Sequence, residues 1–285
     1  MQKVAIQGGL GAFHGIAAEI FFADDEVEII PCATFRDIFS ILKKYPDTVG
    51  IMAIENTIAG SLLQNHELLR QNDFSIMGEY KLRISHCLAA LPGQTIHDIA
   101  EIQSHPIALM QCGDFLDAMP NVKVVEHEDT ALAARDIAEK NLSNVGAVCS
   151  VRAAEIYGLS ILANGIETNK HNFTRFLIFG NQWTTKEFLK GKDLNKASIV
   201  FTLPHHEGSL SKVLSVFSFY DINLTKIQSL PIIGREWEYQ FYVDFKYSDI
   251  ERYHQSLAAI KPLINELKTL GEYPEGKQST LTVEN

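Results

Sequence analysis

The sequence predicts an α/β fold: a larger α/β region followed by a small ferredoxin-like βαββαβ module. Three observations predict it. Short apolar runs alternate with amphipathic stretches from the first residues to Gly180. The rhythm then breaks at a polar, lysine-bearing stretch, NQWTTKEFLKGKDLNKA. Beyond that break the runs follow the order strand, helix, strand, strand, helix, strand.

Taken in order, strands are expected over 4–7, 28–30 and 49–54, each followed by a helix, over 16–22, 35–42 and 62–69. The rhythm continues through Gln103, 122–126 and 145–149. Two helix starts carry caps, Thr34 with Asp37 and Thr95 with Asp98, where a side-chain oxygen meets the unpaired N–H groups of a first turn. Residues 183–196 read as a linker. The module over 197–275 then reads as strand 198–203, helix 209–220, strands 224–230 and 238–245, a helix from Asp249 and a last strand near 267–270. The polar tail, 276–285, is expected to be mobile.

A chain of 285 residues can fill two domains or one large lobed one. Its net charge of -10 argues against nucleic acid or an anionic membrane as partner, since both are bound by excess Lys and Arg. An anionic ligand would therefore rely on local cations and helix ends. Cys32, Cys87, Cys112 and Cys149 sit apart in apolar surroundings with no C-x-x-C pair, and read as reduced core thiols. The opening MQKVAIQGGLGAF enters a strand at once and lacks the features of a signal peptide. No apolar run reaches the ~18 residues of a membrane span. A cytoplasmic enzyme or sensor is the expectation.

Three junctions after strands are rich in small or polar residues: 8–13 (GGLGAF), 54–61 (IENTIAGS) and 104–106 (SHP). In open α/β sheets, ligands bind beyond the carboxyl ends of strands, where helix starts offer N–H groups to anions. Each junction also has a purely structural reading. The glycines do not complete G-x-G-x-x-G, because position 14 is His14, and they suit a tight turn. Asn56 or Thr57 suits a helix N-cap, and His105-Pro106 a helix start. A fourth segment, HNFTRFLIFG over 171–180, puts Arg175 where burial begins. A charge there needs an anionic partner, either an internal carboxylate or a substrate.

The block GAVCSVRAAEIYGLSILANGIETNKHNFTRF contains Arg152-Ala153-Ala154, Tyr157-Gly158-Leu159, Asn172 and Thr174-Arg175-Phe176. With IENTIAGS and SHPIALMQC, it makes the chain similar to the prephenate dehydratase family from Val4 to about Pro274. Through EGSL and NLTKIQSLP the C-terminal part resembles an ACT domain, a regulatory module that binds amino acids. The resemblance implies a two-lobed, periplasmic-binding-protein-like catalytic domain over 1–182, with the site in the cleft. Lobe 1 would be about 1–80 plus 174–182, and lobe 2 about 81–173.

The activity implied is decarboxylating dehydration of prephenate to phenylpyruvate in L-phenylalanine biosynthesis, which needs no metal or redox cofactor. Thr174 would donate a hydrogen bond to the departing hydroxyl, with Glu55 and Asn56 orienting it and Glu55 as the alternative acid. Arg175 would offer a planar fork to a substrate carboxylate. Phe176, Gly11, Phe13, Gly60, Ser61, His105, Gln111 and Asn172 would complete the substrate site. Regulation by L-phenylalanine would fall to Gly208, Ser209, Leu210, Asn223, Leu224, Gln228, Ser229 and Pro231, in a homodimer or homotetramer.

The chain departs from the family's pattern in several places. Ala12 stands where a hydroxyl residue is usual, Ile107 where glutamine is, Glu207 where proline is, and Gln228 and Leu230 where glutamate and arginine are. Two rival readings remain: an arogenate dehydratase, acting on an amine-bearing side chain, and a non-catalytic two-lobed sensor.

Overall fold

The computed structural model describes residues 1–232 and 234–279. Three sheets organise it. The first has the spatial order Val27–Cys32, Gln2–Gln7, Val49–Asn56, Phe173–Gly180, Ser75–Arg83, with Gly60–Ser61 paired to Val49–Asn56 off that path. Gln2–Gln7 runs parallel to both of its neighbours. Helices Phe13–Phe21, Phe35–Lys44 and Leu63–Gln71 follow the strands, as the alternation of the sequence predicts. The Thr34 capping box forms, with the Asp37 carboxylate accepting from the Thr34 N–H at 2.9 Å.

The second sheet has the order Ser160–Asn164, Cys87–Ala90, Val145–Cys149, Glu101–Ser104, Lys123–Glu126. Leu88, Ile102, Leu109, Cys112 and Val148 form part of its core. All four cysteines are free and buried. Helices Pro106–Gln111 and Thr130–Glu139 start at His105 and Asp129, each of which caps its helix through a side-chain acceptor. Thr95 and Asp98 form their bonds on a short 3-10 turn, Ile96–Asp98, rather than on an α-helix.

The third sheet, Asn223–Pro231, Tyr239–Lys246, Lys196–Thr202, Glu266–Tyr273, is antiparallel throughout. Helices Ser209–Phe219 and Ile250–Ile260 complete the order β-α-β-β-α-β. Ala197, Ile199 and Phe201 alternate along the central strand and pack with Val213, Phe217, Phe245 and Tyr253 in one apolar core.

Two expectations are corrected. The stretch read as a linker carries a helix, Gln182–Leu189, whose Asn181 side chain accepts from the Thr184 N–H at 2.8 Å. The polar composition hid a cap followed by a buried Thr185. The expected mobile tail is tied down where it is described: the Ser279 N–H donates to the Lys81 carbonyl at 2.9 Å, and Gln278 bridges to the same residue. Residues 280–285 of that tail lie outside the described residues.

By backbone proximity the chain falls into two compact units. One holds Met1–Leu62, Tyr80–Phe176 and the described residues from Gln278 on; the other holds Leu63–Glu79 and Leu177–Lys277. In the first, Gly11 explains part of the tightness. Its φ of +84° suits glycine, its carbonyl accepts from Ser150 Oγ at 2.6 Å, and a Cβ there would sit 2.5 Å from Ala153 Cα.

In the second unit Glu67 gathers bonds from Arg70, Gln71, Gln240 and Tyr242 at 2.6 to 2.9 Å. Burial pushes its carboxyl up, but the bonds from Arg70, Tyr242, Gln240 and Gln71 outweigh it and hold the group down at about 2. The carboxylate is favoured in the folded chain, so its contribution to stability is full above the ordinary carboxylate range and is lost as pH falls toward about 2. Glu67→Gln should therefore flatten the acid limb of a stability-versus-pH curve between about pH 5 and 2. Urea midpoints measured across that range check it, and an acid limb identical to that of the unaltered chain refutes it.

Candidate active site

The strand Val49–Asn56 ends in a polar pair and turns back at once into a hairpin, with Glu55 opposite Ser61 and Asn56 opposite Gly60. Gly60 permits this turn with a φ of +80°. Asn56 therefore caps no helix. Its Oδ1 accepts from the Ile58 and Ala59 N–H groups at 2.9 and 2.8 Å, closing the turn and fixing which way the amide faces. The Nδ2 end must then point the other way. It donates to Thr174 Oγ1 at 2.9 Å, to Asn172 Oδ1 at 2.8 Å and toward the Phe173 carbonyl at 3.2 Å. Thr57 secures the same register, donating from its N–H to the Phe173 carbonyl at 2.9 Å and accepting from the Phe173 N–H at 3.0 Å.

This fixes the polarity of Thr174. Its oxygen accepts from Asn56, so its own hydrogen is left to donate, and among the described residues no protein group accepts it. Thr174 lines a cavity of about 370 Å³ together with Asn56, Phe13, His105, Gln111 and Phe176. That volume suits a small organic molecule.

The other expected site residues lie elsewhere. Asn172 is fully buried behind the cavity wall, holding Asn56. Gly11, Glu55, Gly60, Ser61 and Arg175 are not among the residues that line the cavity. For Arg175 the reason is the period of a strand: Thr174 and Phe176 face the cavity, so the residue between them faces away. Arg175 is nearly buried and is engaged within the protein.

Sequence reasoning missed several wall residues, notably His14, Phe35, His86 and Asp129. His14 Nε2 accepts from the Ala53 N–H at 3.3 Å, its ring stands edge-on to Phe176, and desolvation pushes the imidazole down to about 4, so it is neutral near pH 7. Burial also lowers His86, whose Nε2 pairs with Gln111 Oε1 at 3.0 Å while its Nδ1 has no partner. Gln111 spends its oxygen on that bond, which leaves its amide N–H groups for a ligand. No lysine or arginine among the described residues lines the cavity.

Anion binding has another source. Helix Phe13–Phe21 begins at Ala12 without any side-chain cap. The first N–H groups of such a helix, from Phe13 and His14, find no partner among the described residues, and Ala12, Phe13 and His14 all line the cavity. A hydroxyl at position 12 would cap these donors; Ala12 leaves them open. The wall thus combines an anion-binding helix end, a fixed hydroxyl donor, a free amide and apolar rings. No group of three or more His, Cys, Asp or Glu placed to hold a metal ion occurs among the described residues.

A model of the family described as prephenate dehydratase matches residues 4–184. The chain belongs to the prephenate dehydratase family. The chain is 38% identical over 294 residues to "Arogenate dehydratase 5, chloroplastic" of Arabidopsis thaliana, covering 95% of this chain and 67% of that one. It is 37% identical over 283 residues to "Arogenate dehydratase/prephenate dehydratase 2, chloroplastic" of the same plant, covering 95% and 72%. Among solved structures, a prephenate dehydratase in complex with L-Phe from Arthrobacter aurescens superposes with a TM-score of 0.82 at 25% identity, covering 96% of this chain and 90% of that one. A structure described as GqqA, a novel type of quorum quenching acylase, gives 0.82 at 27% identity, covering 96% and 98%. No helix among the described residues is long and apolar enough to cross a membrane.

Proposed function

We propose that the chain is a lyase for the decarboxylating dehydration of a cyclohexadienol dicarboxylate, the step that forms the benzene ring in L-phenylalanine biosynthesis. Prephenate gives phenylpyruvate by this route; arogenate, its amine-bearing counterpart, gives phenylalanine. The observation that carries the reading is the Thr174 hydroxyl, held as a donor into the cavity by the oriented Asn56 amide.

The chemistry asks little of the protein. The bond from the ring to its carboxylate breaks and releases carbon dioxide, its electron pair enters the ring, and the C4–oxygen bond breaks with the hydroxyl leaving as water. The proton that completes this water comes ultimately from solvent. The protein's part is to hold the ring and place a hydrogen bond on the leaving oxygen. Phe13, Phe35, Phe176 and Ile84 offer the apolar walls for the ring, and the uncapped helix start at Ala12 accepts a carboxylate. Arg175 acts from behind the wall, as part of the strand's own framework. Incubation with prephenate or arogenate and ultraviolet detection of the aromatic product tests the reading, because a binding protein without chemistry yields none.

The C-terminal β-α-β-β-α-β unit is proposed to be an ACT-type regulatory module. Ser209 and Leu210 line a cavity of about 130 Å³ with Leu203, His206, Trp237 and Phe241. Asn223–Pro231 is an edge strand of alternately exposed residues, suited to pairing with a second copy. Its similarity to a relative solved with L-Phe supports inhibition by phenylalanine despite Glu207, Gln228 and Leu230. Millimolar phenylalanine should slow the initial rate of a dimer or tetramer. A rate that does not respond, or a monomeric mass by light scattering, removes this part of the reading.

A further inference from the structure

We infer that Asp129 is a specificity-determining residue that receives a substrate ammonium, so that the cavity selects a side chain ending in an α-amino acid over its α-keto counterpart. The inference rests on the dehydratase reading and concerns the same cavity. Asp129 is nine-tenths buried and lines the cavity wall. Its two oxygens do different work. Oδ1 caps helix Thr130–Glu139, accepting from the Ala131 and Leu132 N–H groups at 2.9 Å each, and takes a third N–H from Gly9 at 3.3 Å. Oδ2 has no protein partner among the described residues and is not sealed from the cavity's solvent, so it is open to a ligand, and a ligand that displaces that water must supply a donor in its place.

The position of that oxygen gives it a use. A Cβ on Gly8 would touch Asp129 Oδ2 at 2.7 Å and the Ala12 Cβ at 3.1 Å, so the free oxygen stands beside the uncapped start of helix Phe13–Phe21. One point of the cavity therefore presents two complementary devices: backbone donors for a carboxylate and a carboxylate oxygen for a cation. An α-amino acid carries those two charges one carbon apart. An α-keto acid supplies only the first, and turns a ketone oxygen with no hydrogen to donate toward an anion. With no lysine or arginine on the cavity wall among the described residues, Asp129 has no protein cation there to neutralise it. A site that hydrogen-bonds a charged group rejects the analogue lacking it, because its own polar group is then left buried and unpaired.

Asn and Ser both cap helices about as well as Asp, so they remove the charge and spare the fold. The experiment measures kcat/KM for arogenate and for prephenate with the unaltered chain, Asp129→Asn and Asp129→Ser, with thermal melts to establish that each is folded. The unaltered chain is expected to favour the amine-bearing substrate, and both variants to lower the arogenate-to-prephenate ratio of kcat/KM roughly 10- to 100-fold. An unchanged ratio, whether the two activities hold or fall in parallel, reduces Asp129 to a helix cap and overturns the inference. An unaltered chain that favours prephenate overturns it as well. Product from neither substrate overturns the dehydratase reading itself, and this inference with it.

Discussion

Thr174→Val is expected to lower kcat at least ~100-fold while leaving the fold in place. The substitution keeps the branched shape and removes the one hydroxyl that Asn56 aims into the cavity. Stability should change by less than about 1 kcal/mol, because Asn56 Nδ2 retains two other acceptors, Asn172 Oδ1 at 2.8 Å and the Phe173 carbonyl at 3.2 Å. No buried donor is orphaned. The separation of activity from stability is what makes the test informative: a purely structural threonine would show neither effect. Thr174→Ser keeps the donor and should retain more activity. Steady-state kinetics on the aromatic product, together with a thermal melt, check both halves, and a fully active valine variant ends the assignment.

The contrast between Thr174 and Arg175 shows what the sequence could and could not say. Both residues stood out for their place at the start of an apolar run, and similarity to a family treated the tripeptide as one functional unit. A strand splits such a unit, since successive side chains point to opposite faces. The alternation was legible in the sequence, but which face held the cavity was not. Asn56 was legible as a polar residue leaving a strand; that its amide is locked by the Ile58 and Ala59 N–H groups depends on a hairpin only two residues long on its return side. Asp129 precedes a helical run and can be read from sequence as an N-cap, yet nothing local reveals that it also lines a cavity whose walls include Ala12 and Phe13, over a hundred positions away. Fold elements with long apolar runs were read directly because burial writes its period into them. Helix Gln182–Leu189 was lost because its surface residues dominate its composition.

Lys196→Met is expected to destabilise the chain by about 3–5 kcal/mol, the cost of stranding a buried charge. Lys196 and Glu79 are almost wholly withdrawn from water, with side chains 3% and 0% exposed, and Lys196 Nζ meets Glu79 Oε1 at 2.6 Å. The same oxygen accepts from the Gly276 N–H at 3.2 Å. Methionine matches the stem of the lysine but takes the ammonium away from a carboxylate whose side chain is wholly withdrawn from water. The pair itself is a different matter. Removing two charges from water costs nearly what their attraction returns, so the double variant Glu79→Met, Lys196→Met should recover most of the loss. Urea unfolding of the two single variants and the double variant forms a cycle whose coupling term should be large and favourable to the pair. Catalysis should follow stability alone, with kcat near that of the unaltered chain at temperatures where the single variants stay folded, since neither residue lines the Thr174 cavity. A single variant within about 1 kcal/mol of the unaltered chain would mean that water reaches the pair, and that Glu79 and Lys196 do not form the buried clasp their exposure indicates.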